Sequence, residues 1–445
     1  MRIRLAVLVV AGTLMSPSAS FAQAPNTGQP PSSSSPYLDP VSGLTLEDAI
    51  ARALEHEPSL QAMRTDIEVA RGDRLQAGLR PNPSISMTQQ KEPVGTDSQT
   101  QIGVQWPLEL FRRAGRVQVA ERDIVVRRAA ITQRERLLAG DVREEYGAAL
   151  VAIRRLSVTD DLIRTTARQH VLVSARVEAG SAPPLERDML RVEVQRLAAN
   201  RLLRTGEVDR ALIRLKRLLG VPPSAALTLR DPLESVVHHQ SVEQTAAEAN
   251  DATAAGQRPD VVEAAARAEM SAAQINRARR DGRFDVSLFG TYMRTDAGFP
   301  QRAFDEAGNL ARVHGDFNYV SAGVMVTVPL QNRNQGAIAA ARAARAGAAG
   351  QVEATRMTAA SEIAAARTRD EHARQALAIF DNDAIALAAQ NLEIVRQTYE
   401  LGRGTLSDVL NEQRRYLDLQ RDYTDTLGEA FDARQALAQA LGETR

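Results

Sequence analysis

The chain has 445 residues, and its 55 Lys and Arg residues balance its 55 Asp and Glu residues, so the formal net charge is zero. This balance provides no long-range attraction to polyanions and argues against nucleic-acid binding. The absence of Cys excludes disulfides, thiolate metal sites and thiol nucleophiles. Aromatic residues make up only 4% of the chain, which is a low share for a compact enzyme.

The N-terminus has the pattern of an export signal. Two Arg residues precede the apolar run 5–14, which is too short to span a bilayer, and small residues stand just before Gln23. These features predict a signal peptide over 1–22. The following segment, 23–43, is rich in Pro, Ser and Gly, and we expect an extended arm with no core of its own.

Regular structure is predicted to begin at Thr45. Thr45 and Asp48 form a capping-box pattern, and apolar residues at helical spacing follow them. A helix from Leu46 onward is therefore expected.

The spacing of proline residues allows two very long helices. No Pro occurs between Pro107 and Pro183, and none follows Pro329. We predict helices over roughly 112–177 and 334–400, each on the order of 100 Å long at about 1.5 Å per residue. Helices of this length have to pack along a tube, a bundle or a coiled coil.

The C-terminal segment adds a coiled-coil pattern to these helices. Its candidate seam residues step alternately by three and four positions. They are Tyr416, Leu419, Tyr423, Thr426, Ala430, Ala433, Leu437 and Ala440.

Four short segments alternate apolar and polar residues instead, as β-strands do. They lie at 84–90, 100–106, 284–292 and 319–328. Each has about the length of a membrane-spanning strand, and although any one alone could belong to a soluble sheet, the four together, between very long helices in an exported chain, favour a barrel. Four strands cannot close a barrel without unpaired edges, so several chains are needed, and three chains would supply twelve strands.

The chain also repeats itself. Gly180 precedes Gly220 by 40 positions, and Gly402 precedes Gly442 by the same 40 positions. We therefore predict two equivalent repeats. Their expected bounds are 44–220 and 258–445, with a connecting segment at 221–257.

Several motifs resemble one known family. Residues 399–410 read Y-E-L-G-R-G-T-L-S-D-V-L, which is similar to the Y-x-x-G-x-x-T-x-x-D-V-L turn of TolC-type outer-membrane factors. The opening at 44–49 and the Pro-Asn-Pro at 81–83 also fit this family. Segments 106–110 and 328–336 resemble its CzcC-like, heavy-metal branch.

The resemblance, which covers essentially the whole mature chain, implies a fold and a location. The expected fold is mainly α-helical with a membrane β-barrel. In a TolC-like homotrimer, four strands from each chain close a 12-stranded barrel, a long α-helical barrel extends into the periplasm, and each chain holds two internal repeats. The expected location is the cell outer membrane.

The same resemblance implies a passive duct and not an enzyme. The expected partners are a periplasmic adaptor protein, an inner-membrane pump of the resistance-nodulation-division type and outer-membrane lipid, with no cofactor. The first interpretation of the cargo is heavy-metal cations. The same duct serving multidrug efflux or type I protein secretion is the alternative, and a periplasmic coiled-coil scaffold is an alternative of a different class.

The resemblance assigns roles at the helix turns. Gly180 and Gly402, where the long helices reverse, are the expected adaptor-docking tips. Asp408 matches the family position whose carboxylates ring the closed pore, and the alternative is a charge that only favours a helix N-terminus. Asn411 stands where the family has a second acid, so one ring is expected.

Three further residues are latch candidates by the same resemblance. Tyr399 and Asp188 match one pair of the family's latch. The family's basic latch residue aligns with Gly404, so this contact is expected at Arg403 or not at all.

His238 and His239 are adjacent in the connecting segment but lack a third ligand, and we predict a solvated loop there and no metal site.

Overall fold

The computed structural model describes residues 36–443 except 94, 96 and 244–250. The predicted signal peptide and most of the predicted arm therefore lie outside the described residues. The arm is described from residue 36, where Leu38 and Leu44 form bridges to Leu229. Tyr37 and Leu38 pack against the main core, so this end of the arm belongs to the folded body.

The first two helices confirm the predicted start of regular structure. Helix α1 covers Leu46–His56, and the Thr45 hydroxyl accepts a hydrogen bond from the Asp48 amide at 3.1 Å. Helix α2 covers Pro58–Gly78, with proline in its first turn, where no backbone donor is needed.

The long helices follow the proline spacing closely. Helix α3 covers the 67 residues Arg112–Glu178, and α4 follows over Pro184–Leu218. In the second half, α8 covers Gln335–Ile379 and α9 covers Ile385–Glu400, before α10 over Leu406–Leu441. None of the described helices combines the length and the apolar character that crossing a bilayer requires.

The prediction of one regular helix over 334–400 is wrong at one point. A π-helical turn, Phe380–Ala384, separates α8 from α9. A π-turn bonds residue i to i+5 and so contains one residue more than an α-helical turn.

The buried positions of the two helices show the effect of this additional residue. Those of α8 step by four and three, and they are Ala359, Ile363, Ala366, Asp370, Ala373 and Leu377. The same stepping would continue at 391 and 398, but the buried residues of α9 are Leu392 and Tyr399. The π-turn thus keeps one continuous seam facing the neighbouring helices although the sequence phase changes by one position.

Shorter helices join the two halves of the chain. They are α5 (Leu233–Glu243) and α6 (Asp251–Gln257), and α7 (Pro259–Asp281) then begins the second half. The predicted loop at His238 is wrong, because it lies in α5, whose Leu233 and Val237 are buried four positions apart. The side chain of His239 lies outside the described residues.

The four predicted strands form one antiparallel sheet in the order β1-β2-β3-β4. Strand β1 covers Ser84–Lys91, β2 Ser98–Pro107, β3 Asp285–Phe304 and β4 Leu310–Thr327. The second pair extends beyond its prediction, because backbone pairing continues past Arg294, where the apolar alternation ends. Strands β1 and β4 are edges without a neighbour within the described chain.

The strand register collects the apolar residues on one face of the sheet. Val104 pairs with Ile85 on one side, and Trp106 pairs with Leu288, which pairs in turn with Val324. Paired residues lie on the same face. This apolar face comprises Ile85, Met87, Ile102, Val104, Trp106, Val286, Leu288, Tyr292, Val320, Ala322, Val324 and Val326.

The order of elements supports the predicted repeat. In each half a helix leads into two strands, a long helix, a glycine turn and a shorter helix that ends at a second glycine. The four glycines Gly180, Gly220, Gly402 and Gly442 have φ of 72°, 65°, 73° and 93°. Each therefore has a left-handed conformation that favours glycine.

The main core lies around α3 and α10, which pack unusually close together. A Cβ atom on Gly147 would lie 2.5 Å from the Phe431 ring, and one on Gly428 would lie 2.8 Å from a Val151 methyl group. Residues 423, 430, 433 and 440 of the predicted coiled-coil seam are buried, and so are Leu427 and Phe431, which lie outside that seam. The packed face of α10 is thus wider than a two-residue seam.

Candidate functional site

The two predicted tips are tight helix ends of the same type. The Gly402 amide donates to the Tyr399 carbonyl at 2.9 Å, and the Arg403 amide donates to the Thr398 carbonyl at 3.0 Å. Gly180 and Ser181 repeat this pattern after α3. A Cβ atom would meet nothing within 4 Å at Gly180 or Gly402, so the positive φ, and not crowding, accounts for glycine there.

The two turns lie side by side and share a small apolar core. An Arg176 guanidinium nitrogen donates to the Glu400 carbonyl at 3.0 Å, and the guanidinium lies 5.9 Å from the centre of the Tyr399 ring. The buried residues beneath are Val173, Leu190, Tyr399, Leu406 and Val409. We call this unit the tip cluster; it joins α3, α4, α9 and α10.

The structure places Tyr399 against Glu186 and not against Asp188. The Tyr399 hydroxyl donates to the Glu186 carboxylate. Burial, together with this carboxylate, raises the pKa of Tyr399, so its hydroxyl stays protonated and acts as the donor. Asp188 is exposed and forms an ion pair with its neighbour Arg187 at 3.0 Å.

Helix geometry explains the choice of Glu186. It lies four residues before the fully buried Leu190, so both side chains lie on the inward face of α4. The motif resemblance alone had matched Asp188, which lies two positions after Glu186. The four-residue spacing between Glu186 and Leu190, counted from the helix start at Pro184, is a signal in the sequence that would have indicated Glu186.

Asp408 lies at the start of α10, where it completes a capping box. Its carboxylate accepts hydrogen bonds from the Thr405 amide at 3.0 Å and from the Thr405 hydroxyl at 2.7 Å. The Asp408 amide donates back to the Thr405 hydroxyl at 3.2 Å. These hydrogen bonds lower the pKa of Asp408, so the exposed carboxylate is ionised at neutral pH.

The other proposed pore residues share the exposed side of this turn. Asn411, one helical turn after Asp408, is exposed, and so is Arg403. Within the part of the chain that the structure describes, Arg403 has no ion-pair partner, and no group of three or more His, Cys, Asp or Glu side chains could hold a metal ion. The cap explains why Asp408 suits the helix, while its carboxylate also remains open to solvent.

An open sheet with one apolar face, helices on the order of 100 Å long and a closed double turn at their far end define a subunit of a membrane-spanning conduit. The comparison with protein families agrees. The family model for outer membrane efflux proteins matches residues 49–221 and 252–443, so the chain belongs to that family. It is a passive channel of the outer membrane with a periplasmic helical barrel, and not an enzyme.

Individual relatives match along nearly the whole chain. The cobalt-zinc-cadmium resistance protein CzcC of Cupriavidus metallidurans is 24% identical over 415 residues, which cover 90% of each protein. The structure of CusC matches with a TM-score of 0.70 at 18% identity, covering 89% of this chain and 92% of that one. The structure of VceC from Vibrio cholerae matches with a TM-score of 0.68 at 20% identity, covering 89% of this chain and 96% of VceC.

Proposed function

We propose that the chain forms a homotrimeric exit duct for divalent heavy-metal cations, working with a periplasmic adaptor and an inner-membrane pump of the resistance-nodulation-division type. The observation that carries this proposal is the match to a cobalt-zinc-cadmium resistance protein over nine tenths of both chains. The bounds of the signal peptide, the arm and the two repeats remain predictions within this proposal.

The open sheet supports the trimer. Strands β1 and β4 each leave one row of backbone donors and acceptors without a strand partner in the described chain. In hydrocarbon each unpaired group costs several kcal/mol, so these edges need further copies of the chain. Three copies would give twelve strands, an even number within the range of closed membrane barrels.

The tip cluster supports a closed periplasmic end. We propose that the turns at Gly180 and Gly402 are the surfaces that the adaptor meets, and that the Tyr399–Glu186 contact holds the two turns of one protomer together. Arg403, which is exposed beside them, remains the candidate for a contact between protomers.

Asp408 supports a cation-sensitive constriction. In a threefold assembly, three ionised Asp408 carboxylates would surround one axis, where a bound cation relieves their mutual repulsion. Asn411 contributes no charge one turn further on, so we propose a single acidic ring. The capping box orients each carboxylate in such a ring.

A growth assay on a strain without this gene tests the cargo. We expect the minimal inhibitory concentrations of cobalt, zinc and cadmium to fall several-fold and to recover when the wild-type gene is returned. Those of hydrophobic drugs should stay unchanged. Loss of drug resistance with intact metal resistance would favour the multidrug duct, and loss of a secreted protein would favour type I secretion.

A further inference from the structure

The four joins between helices and sheet carry a strong excess of positive charge. They cover residues 78–84, 107–116, 277–285 and 327–336. These joins contain nine Arg and only three acidic residues in a chain whose net charge is zero. The arginines are Arg80, Arg112, Arg113, Arg116, Arg277, Arg279, Arg280, Arg283 and Arg333. We call this band the basic rim.

All three acids of the rim are already paired. In each pair, a carboxylate oxygen lies close to a guanidinium nitrogen. The distances are 3.3 Å for Asp285 and Arg112, 2.7 Å for Glu109 and Arg116, and 3.7 Å for Asp281 and Arg277. Six arginines therefore have no acidic partner among the described residues. They are Arg80, Arg113, Arg279, Arg280, Arg283 and Arg333.

Favourable interactions with helix ends account for only three of these six arginines. Arg113 donates to the Gly78 carbonyl at the end of α2, and Arg279 and Arg280 lie in the last turn of α7, where positive charge favours the helix dipole. The remaining arginines, Arg80, Arg283 and Arg333, lie outside the helices.

Two of these three lie where the apolar face of the sheet ends. The Trp106 indole donates to the Pro81 carbonyl at 3.1 Å, immediately beside Arg80. The Arg283 guanidinium lies 5.1 Å from the centre of the Phe111 ring, which contacts Phe284 edge-on at 5.1 Å.

Phe284 has the same strand parity as Val286 and Leu288 of the apolar face. Arg80 and Arg283 thus lie next to aromatic residues, at the border of the apolar face that is nearest the helices. Arginine beside aromatic rings is the arrangement that side chains adopt at membrane–water interfaces.

The far end of the sheet has the opposite charge. The two hairpins at 91–97 and 294–318 contain four Lys and Arg residues and six Asp and Glu residues. The excess of positive charge therefore lies at the end of the sheet from which the helices extend, which is the periplasmic side of the outer membrane.

We propose that the basic rim binds the phosphate groups of anionic phospholipids in the periplasmic leaflet, with Arg80 and Arg283 as the principal contacts. An apolar face that ends in aromatic rings followed by unpaired guanidinium groups matches acyl chains that end in phosphate. This proposal depends on the outer-membrane location and not on the metal cargo, so the two can fail separately.

Native mass spectrometry of the purified trimer tests the proposal. Dioleoyl-phosphatidylglycerol or dioleoyl-phosphatidylcholine is added, and bound lipid is counted. We expect the wild type to retain phosphatidylglycerol preferentially, and the double variant R80Q/R283Q to bind it about tenfold more weakly. The matched control R122Q/R128Q, which removes two exposed arginines further along α3, should behave as the wild type does.

Two further measurements keep the result decisive. Inorganic phosphate at the same concentration should not displace the lipid, because the acyl chains contribute to binding. The ratio of cation to anion permeability in planar bilayers should be the same for R80Q/R283Q and the wild type.

Equal retention of both lipids by the wild type would overturn the proposal, even if the variant failed to assemble. A changed permeability ratio with unchanged lipid retention would also overturn it and would place these arginines in the lumen.

Discussion

At the scale of single residues, Asp408 has a structural contact and a proposed functional one. Its carboxylate caps α10 through Thr405, so an alanine at this position would remove the cap and the charge together. Asparagine separates the two effects, because its amide oxygen accepts the same hydrogen bonds without a charge.

We predict that Asp408→Asn raises single-channel conductance in planar bilayers and weakens block by divalent cations. The control Thr405→Ala should cost about 1 kcal/mol of helix stability but leave the block in place, because the backbone amide of residue 405 still donates to the Asp408 carboxylate. Asn411→Asp, which adds a second ring, should strengthen the block. If Asp408→Asn changes neither conductance nor block, Asp408 is only a capping residue.

Tyr399 provides a second residue-level prediction. Tyr399→Phe removes one hydrogen bond to a carboxylate, and we expect the closed tip to lose about 1 to 2 kcal/mol. Conductance in planar bilayers should therefore show more frequent openings. Glu186→Gln should give a weaker form of this effect, and Asp188→Asn should give none. A larger effect of Asp188→Asn would restore the pairing that the motif alone suggested.

At the scale of elements, the apolar face of the sheet makes a prediction about insertion. Val324 lies on this face, while its neighbour Met325 lies on the other. An Arg at the bilayer midplane of a lipid-facing position costs about 2 to 4 kcal/mol. Val324→Arg should therefore reduce the amount of assembled trimer in outer-membrane fractions more than Met325→Arg does. Equal losses would mean that the two faces are not distinguished by lipid.

The π-turn makes a prediction about helix phase. Deletion of Ala384 would remove the additional residue, so a regular helix would bring Leu392 and Tyr399 to the same seam. We expect this variant to form heat-resistant trimers on semi-native gels. Deletion of Asp422 from the regular helix α10 has no such compensation and should abolish them. Loss of the trimer in both variants would show that the π-turn itself is required.

At the scale of the whole molecule, the unpaired strand edges predict that the chain does not persist as a folded monomer in the membrane. Light scattering of the detergent-solubilised protein should give three times the mass of the mature chain, which is below three times 48.4 kDa because the predicted signal peptide, residues 1–22, is removed. A well-folded monomer that retains its β-structure by circular dichroism would contradict the argument from edge strands.

Much of this architecture could be predicted from a few residue types. The gap between Pro107 and Pro183 predicted α3 almost to the residue, and period-two alternation located all four strands. The π-turn could not be predicted, because it shows only as a one-position change of phase between the buried residues of α8 and those of α9. The extension of β3 past Arg294 could not be predicted either, because the alternation of apolar and polar residues ends there.

The candidate site was predictable to a smaller degree. The capping pair of Thr405 and Asp408 and the two turn glycines were identified from their residue types, which physical rules restrict strongly. The partner of Tyr399 was not, because the motif resemblance matched Asp188, and only the start of α4 at Pro184 places Glu186 on its inward face. The basic rim was missed as well, since its nine arginines are dispersed over four separate segments and meet only when the sheet forms.

The π-turn also divides the second long helix into two arms that pack into different apolar clusters. Before the turn, Ala373 and Leu377 pack into the main core, whereas the 16 residues of α9 reach from the turn to the tip, where Tyr399 packs into the tip cluster. At about 1.5 Å per residue this arm is about 24 Å long, so bending the turn by about 10° would carry Gly402 sideways by about 4 Å. A lever of this length converts a small change in backbone angle near the middle of the protein into a displacement wider than a water molecule at its end.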